Sequence, residues 1–194
     1  MQPRIPRQTP REQAAHAMDD DPRFGAESAA ALAAARRRAV RDGDRQIDTA
    51  HVLHSLLEHD PQARAAFGGG PQLARLLGYL VQRSIGYGLS WQSGVEDSGA
   101  LPVVTVVEGF SPLVAAALEH ACARADRRDG APARGVDLLA AIVADPQARA
   151  VEVLTHAGVD VYELRARIED GLEEPDEDGL DGREAYVGGG GPAY

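Results

Sequence analysis

Between Ala26 and Asp42 the chain keeps Leu32, Ala35 and Ala39 at helical spacing among Arg and small residues, and Asp42-Gly43 ends the run. That period predicts an amphipathic helix with a glycine stop. Asp48 or Thr49 then caps a second helix, whose buried face carries Val52, Leu53, Leu56 and Leu57 before Asp60-Pro61 closes it. Pro61 suits the first turn of a third helix, where the missing N–H would be unpaired in any case. A fourth follows Pro71, with Leu73, Leu76, Leu77 and Leu80 in period. The same plan returns downstream over about 112–128, 136–144, 146–157 and 160–170, with Gly158 as a stop between the last two.

The return is a duplication. Asp60-Pro61-Gln62-Ala63-Arg64-Ala65 recurs letter for letter as Asp145-Pro146-Gln147-Ala148-Arg149-Ala150, 85 positions on. Phe24, Leu32, Arg38 and Ala39 recur as Phe110, Leu118, Arg124 and Ala125 at an offset of 86. Two copies of about 85 residues suit two half-domains that share one core. The expected fold class is all-α, with about eight helices in two pseudo-twofold four-helix repeats. The expected segments are an arm at 1–22, the first repeat at 23–84, a linker at 85–109, the second repeat at 110–170 and an acidic, Gly-rich tail at 171–194. The arm and the tail are expected to be disordered. Within the linker, Ile85-Gly86-Tyr87-Gly88 and Ser98-Gly99 break helix, and the β-branched Val103–Val107 suits a short strand or a tether.

Composition narrows the function. All 20 basic residues are Arg, so the lysine that a P-loop extends to nucleotide phosphates is missing. The formal charge of -10 is concentrated, because eight acidic residues fall between Glu169 and Asp181. The folded body is therefore nearly neutral, unlike the basic face that nucleic acid requires. The cluster Arg36, Arg37, Arg38 and Arg41 reads as a solvated helix face. No stretch has the length and apolarity of a membrane span. The Pro- and Arg-rich first residues lack a secretory pattern. With Cys122 as the single cysteine, a reducing, cytoplasmic home is expected.

Candidate chemistry is sparse. His51, His54 and Glu58 share one helix face at i, i+3 and i+7, but no other element marks a further metal ligand, and a capping or packing role for His51 is simpler. Cys122 lies on the buried period of its helix, as a small core residue would. No triad order, zinc-type spacing or phosphate loop is present, so no enzyme, metal or cofactor is expected.

The Phe110-Ser111-Pro112 start, the Gly turns, the Leu-rich second helices and the ending Val153-Leu154-Thr155-His156-Ala157-Gly158-Val159 resemble the N-terminal double repeat of Clp-family AAA+ unfoldases, most closely the ClpC type. The resemblance covers about residues 24 to 170, without the ATPase modules. It implies a stand-alone module that binds proteins or peptides: substrates and adaptors of a Clp unfoldase-protease and, in actinobacteria, cyclic-peptide antibiotics. It further implies phosphoarginine recognition, in which a carboxylate pairs with the guanidinium and a hydroxyl receives the phosphate. At the positions concerned, Gly25 and Ala50 in the first copy lack both groups. Ser111 in the second keeps the hydroxyl, and Asp137 stands at the carboxylate position or, in the other alignment, at a histidine position. Phe24 and Phe110 match aromatic positions, with Phe110 on the adaptor and cyclic-peptide surface, or act as staples for the first turns of their helices. The candidate ligand-binding set is thus Phe24, Phe110, Ser111 and Asp137. The expected role is an adaptor or modulator of a Clp protease, with sequestration of a cyclic peptide as the alternative.

Overall fold

In the computed structural model, the described residues are 21–44, 46–84, 96 and 109–173. Among them the regular structure is eight α-helices and no strand: α1 Ala26–Asp42, α2 Thr49–His59, α3 Pro61–Ala65, α4 Gly70–Ser84, α5 Pro112–Arg128, α6 Gly135–Ala144, α7 Arg149–His156 and α8 Val161–Glu173. The all-α double repeat read from the periodicity is therefore the observed architecture, with α1 to α4 answering α5 to α8. Most of the expected arm, most of the linker including Val103–Val107, and most of the tail fall outside the described residues.

Local chemistry sets the helix ends. At the end of α1, Gly43 takes φ 75°, a left-handed conformation that only glycine adopts cheaply. This turn lets the Asp44 N–H reach the Ala39 carbonyl at 2.9 Å, satisfying one of the last orphan acceptors of the helix. Gly130 repeats the device after α5, with φ 68° and an N–H to the Ala125 carbonyl at 3.1 Å. The copied glycine turns thus make copied corners.

Helices α2 and α6 form the centre. Every residue of α2 from Thr49 to Leu57 is buried, and so is nearly all of α6. Leu53, Leu56 and Leu57 of α2 and Leu138, Leu139 and Ile142 of α6 join one continuous core with Leu32, Phe67, Leu76, Leu118 and Leu154. A helix apolar all round is stable only when enclosed, so the central pair needs both repeats around it. Helix α2 packs on α6 itself and on α7, while α6 packs on α3 and α1.

The repeats exchange their backbones at two isolated parallel bridges, Phe24 with Ala133 and Ile47 with Phe110. The Gly25 N–H donates to the Ala133 carbonyl at 3.0 Å and Ala133 N–H to the Arg23 carbonyl at 2.7 Å. In the mirror pair, the Ser111 N–H donates to the Ile47 carbonyl at 2.9 Å and Ile47 N–H to the Gly109 carbonyl at 2.6 Å. Each position in one bridge lies 86 residues from its counterpart in the other, with the repeats exchanged. The pseudo-twofold axis therefore relates interlocked halves.

One expected boundary moves. The twin hexapeptides do not fold alike: Pro61–Ala65 is helical, whereas its copy forms a turn and α7 begins only at Arg149, not at 146. In the first copy the Arg64 N–H bonds helically to the Asp60 carbonyl at 3.2 Å. In the second, the Arg149 N–H is taken by a side chain from elsewhere, Glu96, at 2.8 Å. Tertiary partners thus override an identical local sequence.

The Arg cluster of α1 is partly engaged: Arg38 reaches Glu58 of α2 at 2.6 Å. Beside them His54 is 3% exposed. Burial, then the nearby Arg38 charge, press its pKa from 6.5 down to about 4, against the opposing pull of Glu58. The unfolded chain binds the proton first, so stability is fullest above pH 6.5 and is lost as pH falls toward 4, by on the order of 3 kcal/mol. Urea unfolding at several pH values should show this loss in the wild type and a flatter profile in His54→Gln; parallel profiles would contradict it.

Candidate functional site

The feature that organises the repeat junction is the carboxylate of Glu96, which is 4% exposed. One oxygen accepts from the Thr49 N–H at 2.9 Å and the Ser111 hydroxyl at 2.7 Å. The other accepts from the Thr49 hydroxyl and, at 2.8 Å, from the Arg149 N–H. Three helix starts meet there, because Thr49 opens α2, Ser111 caps α5 and Arg149 opens α7. Unpaired N–H groups and the positive ends of helix dipoles favour an anion at such starts.

Both hydroxyls are held in orientation. Thr49 Oγ1 accepts from the Ala150 N–H at 3.0 Å, and Ser111 Oγ accepts from the Val114 N–H at 3.2 Å. Each is thereby left to point its proton at Glu96. Around this centre Asp48 accepts from the His51 N–H at 2.9 Å, and the Asp48 N–H donates to His51 Nδ1 at 3.2 Å, closing a capping box on α2. Arg149 extends its guanidinium to Asp48 at 3.0 Å, tying α7 to α2 across the repeats.

The pseudo-symmetric position is built differently. Gly25 stands where Ser111 does and Gly135 where Thr49 does, so neither hydroxyl exists there. A Cβ placed on Gly135 would lie 1.9 Å from Asp60 Oδ2 and 2.9 Å from Leu56 Cδ2. Asp60, whose carboxylate also accepts from Gln62 and Ala63 N–H groups at 2.8 and 3.0 Å, therefore fills that place. One duplicated site is closed by glycine contact and the other by a carboxylate from between the repeats.

The four residues singled out in the sequence fall in different surroundings. Ser111 is in the Glu96 cluster. Asp137 is not. It sits at the third position of α6, 86 residues from His51, and caps its helix as His51 does, accepting from the Arg134 N–H at 2.9 Å. Its two oxygens also take Arg128 at 2.6 and 2.7 Å, and Arg124 lies 3.5 Å away. Phe24 and Phe110 are each 6% exposed and form the two inter-repeat bridges. Arg23 lies over Phe24, 5.8 Å from its ring centroid, and holds Glu119 of α5 at 3.1 Å.

Glu96 and Arg149 escaped the sequence reading, and Thr49 entered it only as a helix cap. Glu96 lies in no periodic segment, so nothing local marks it. The one available signal was that each copy lacks one hydroxyl that the other keeps, Gly25 against Ser111 and Gly135 against Thr49. Cys122 is half-buried, and burial pushes its thiol pKa upward, away from reactivity. A cavity of about 140 Å³ among α5, α6 and α8 is lined by His120, Arg124, Arg127 and Arg165, of which Arg124 already pairs with Glu169.

No family model matches the chain, and no curated protein matches it by sequence. A solved structure does: the N-terminal domain of ClpD, a caseinolytic protease associated chaperone from Arabidopsis thaliana, aligns with a TM-score of 0.56 at 19% identity. The alignment covers 78% of this chain and 98% of that one. The fold is thus that of a Clp N-terminal domain, as the residue motifs implied. No helix among the described residues is long and apolar enough to cross a membrane.

Asp137 is fully buried, so removing it strips a helix cap and leaves Arg128 without its main partner. Asp137→Ala should cost about 3 kcal/mol, measured by urea denaturation; a loss below about 0.5 kcal/mol would contradict the assigned role.

Proposed function

We propose that the chain is a non-catalytic protein- or peptide-binding module that works with a Clp unfoldase-protease in the cytoplasm, as an adaptor or modulator. The observation that carries this reading is the fold, since 98% of the ClpD N-terminal domain is matched by 78% of this chain. Two further features support it. The buried polar groups of the repeat junction are engaged in capping and in holding Glu96, which suits a scaffold for recognition. The single thiol is pushed toward its unreactive form.

On this reading the module presents clients to the unfoldase or competes with the unfoldase's own N-terminal domain for a shared ligand. The two modes have opposite signs in one assay. Purified chain should be retained by the host's Clp unfoldase, and adding it should change the rate at which unfoldase and protease degrade a model client by at least about twofold. No retention together with unchanged turnover would refute the proposal. Calorimetric binding of a cyclic peptide without any effect on turnover would instead place the chain in the sequestering role.

A further inference from the structure

The cavity among α5, α6 and α8, about 140 Å³ in volume, joins an apolar floor to a cationic rim. Ala140, Ala141 and Ala144 of α6 and Ile168 of α8 make the floor. His120 and Arg127 of α5 and Arg165 of α8 stand exposed around it, and among the described residues neither arginine has an ion-pair partner. Arg124 is held by Glu169, but that carboxylate is more than half exposed, so the pair is weak and readily exchanged. Glu169 is the one acid among the lining residues, against three guanidinium groups. A cleft with such a surplus of one sign draws the other.

The first repeat builds the same place differently. Arg38 and Arg41 stand 86 residues before Arg124 and Arg127, and His54, Ser55 and Glu58 stand 86 before Ala140, Ala141 and Ala144. There Glu58 takes Arg38 at 2.6 Å and lies 3.5 Å from His54, so the helix beside the arginines supplies their counter-charge. In the second repeat, alanine at all three positions removes both the bulk and the charge. The neutralising acid must come from elsewhere.

A source lies directly after α8, whose inner face is one wall of the cleft. Residues 174–181 carry five carboxylates, Glu174, Asp176, Glu177, Asp178 and Asp181, with Leu180 as their single apolar side chain besides Pro175 and no basic residue. The stretch thus matches both a cationic rim and an apolar floor. It also reaches: Arg165 lies about 12 Å along the helix axis from Glu173, whereas the chain from Glu174 to Leu180 can extend about 23 Å. Tethering holds such a segment at an effective concentration in roughly the millimolar range, where weak contacts suffice.

We propose that residues 174–181 fold back into this cleft, with Leu180 on the alanine floor and the flanking carboxylates on Arg127 and Arg165. The acidic segment thereby supplies the charge that α6 of the second repeat has lost. The contact belongs to the isolated chain and holds whether or not the chain acts in a Clp system.

The test exploits the absence of lysine. Arg127→Lys keeps the charge on the rim and introduces the chain's first side-chain amine. A water-soluble carbodiimide joins such an amine to a touching carboxylate as an amide, the reagent taking up the water. Mass-spectrometric mapping of the full chain should find position 127 joined to Asp176, Glu177, Asp178 or Asp181 of the same molecule, and Arg165→Lys should give the same partners. The yield should fall by about threefold or more in about 0.5 M sodium chloride, and by about as much when Ala144→Glu, at an exposed position, restores the counter-charge of the first repeat. Linkage to Glu169 alone, or a yield indifferent to both salt and Ala144→Glu, would overturn the proposal. Linkage between two chains would give the cleft to a second copy, and preferential linkage to an equimolar acidic peptide would give it to an outside partner; either result would overturn the assignment of the chain's own segment.

Discussion

The structure depends on backbone groups of one repeat being satisfied by the other. Where each copy begins, its first N–H and C=O groups have no helical partner, and a buried group of this kind left unpaired costs on the order of 1–3 kcal/mol. The answer is reciprocal: residues 23–25 pair with Ala133, and residues 109–111 pair with Ile47. Because each loop serves the opposite copy, the central helices α2 and α6 are brought face to face and enclosed on all sides. A duplicated sequence thereby becomes one core.

Duplication makes two equivalent junctions, and their divergence gives the molecule its asymmetry. At one, glycine at 135 allows the Asp60 carboxylate to close directly on the backbone. At the other, Thr49 and Ser111 keep hydroxyls, and the space between them holds Glu96. The same divergence explains the unequal fates of the twin hexapeptides. Asp60 starts a helix at once, while Asp145 leads into a turn, because the Arg149 and Ala150 N–H groups are claimed by Glu96 and Thr49.

The helices were legible because their signals are local. Leu spacing in α2, the Asp42-Gly43 stop and proline at the start of α3 each act within one or two turns. The duplication itself disclosed the symmetry. The site was less legible, since its members are distant in sequence and meet only through the exchange of repeats. Ser111 showed its hydroxyl but not its partners. Asp137 carried the right charge, yet its place at the third residue of α6 makes it a cap and an ion-pair partner for Arg128. Phe24 and Phe110 stand out among few aromatics, but 6% exposure puts both in the core. Glu96, in a segment without period, had no local sequence signal.

Interlocking of the repeats is most directly measured by cutting the chain between them. Residues 1–90 and 91–194, produced separately, should each lack a cooperative thermal transition by circular dichroism, and an equimolar mixture should regain the helicity and a single transition. A half that unfolds cooperatively on its own, with a midpoint near that of the intact protein, would contradict the account.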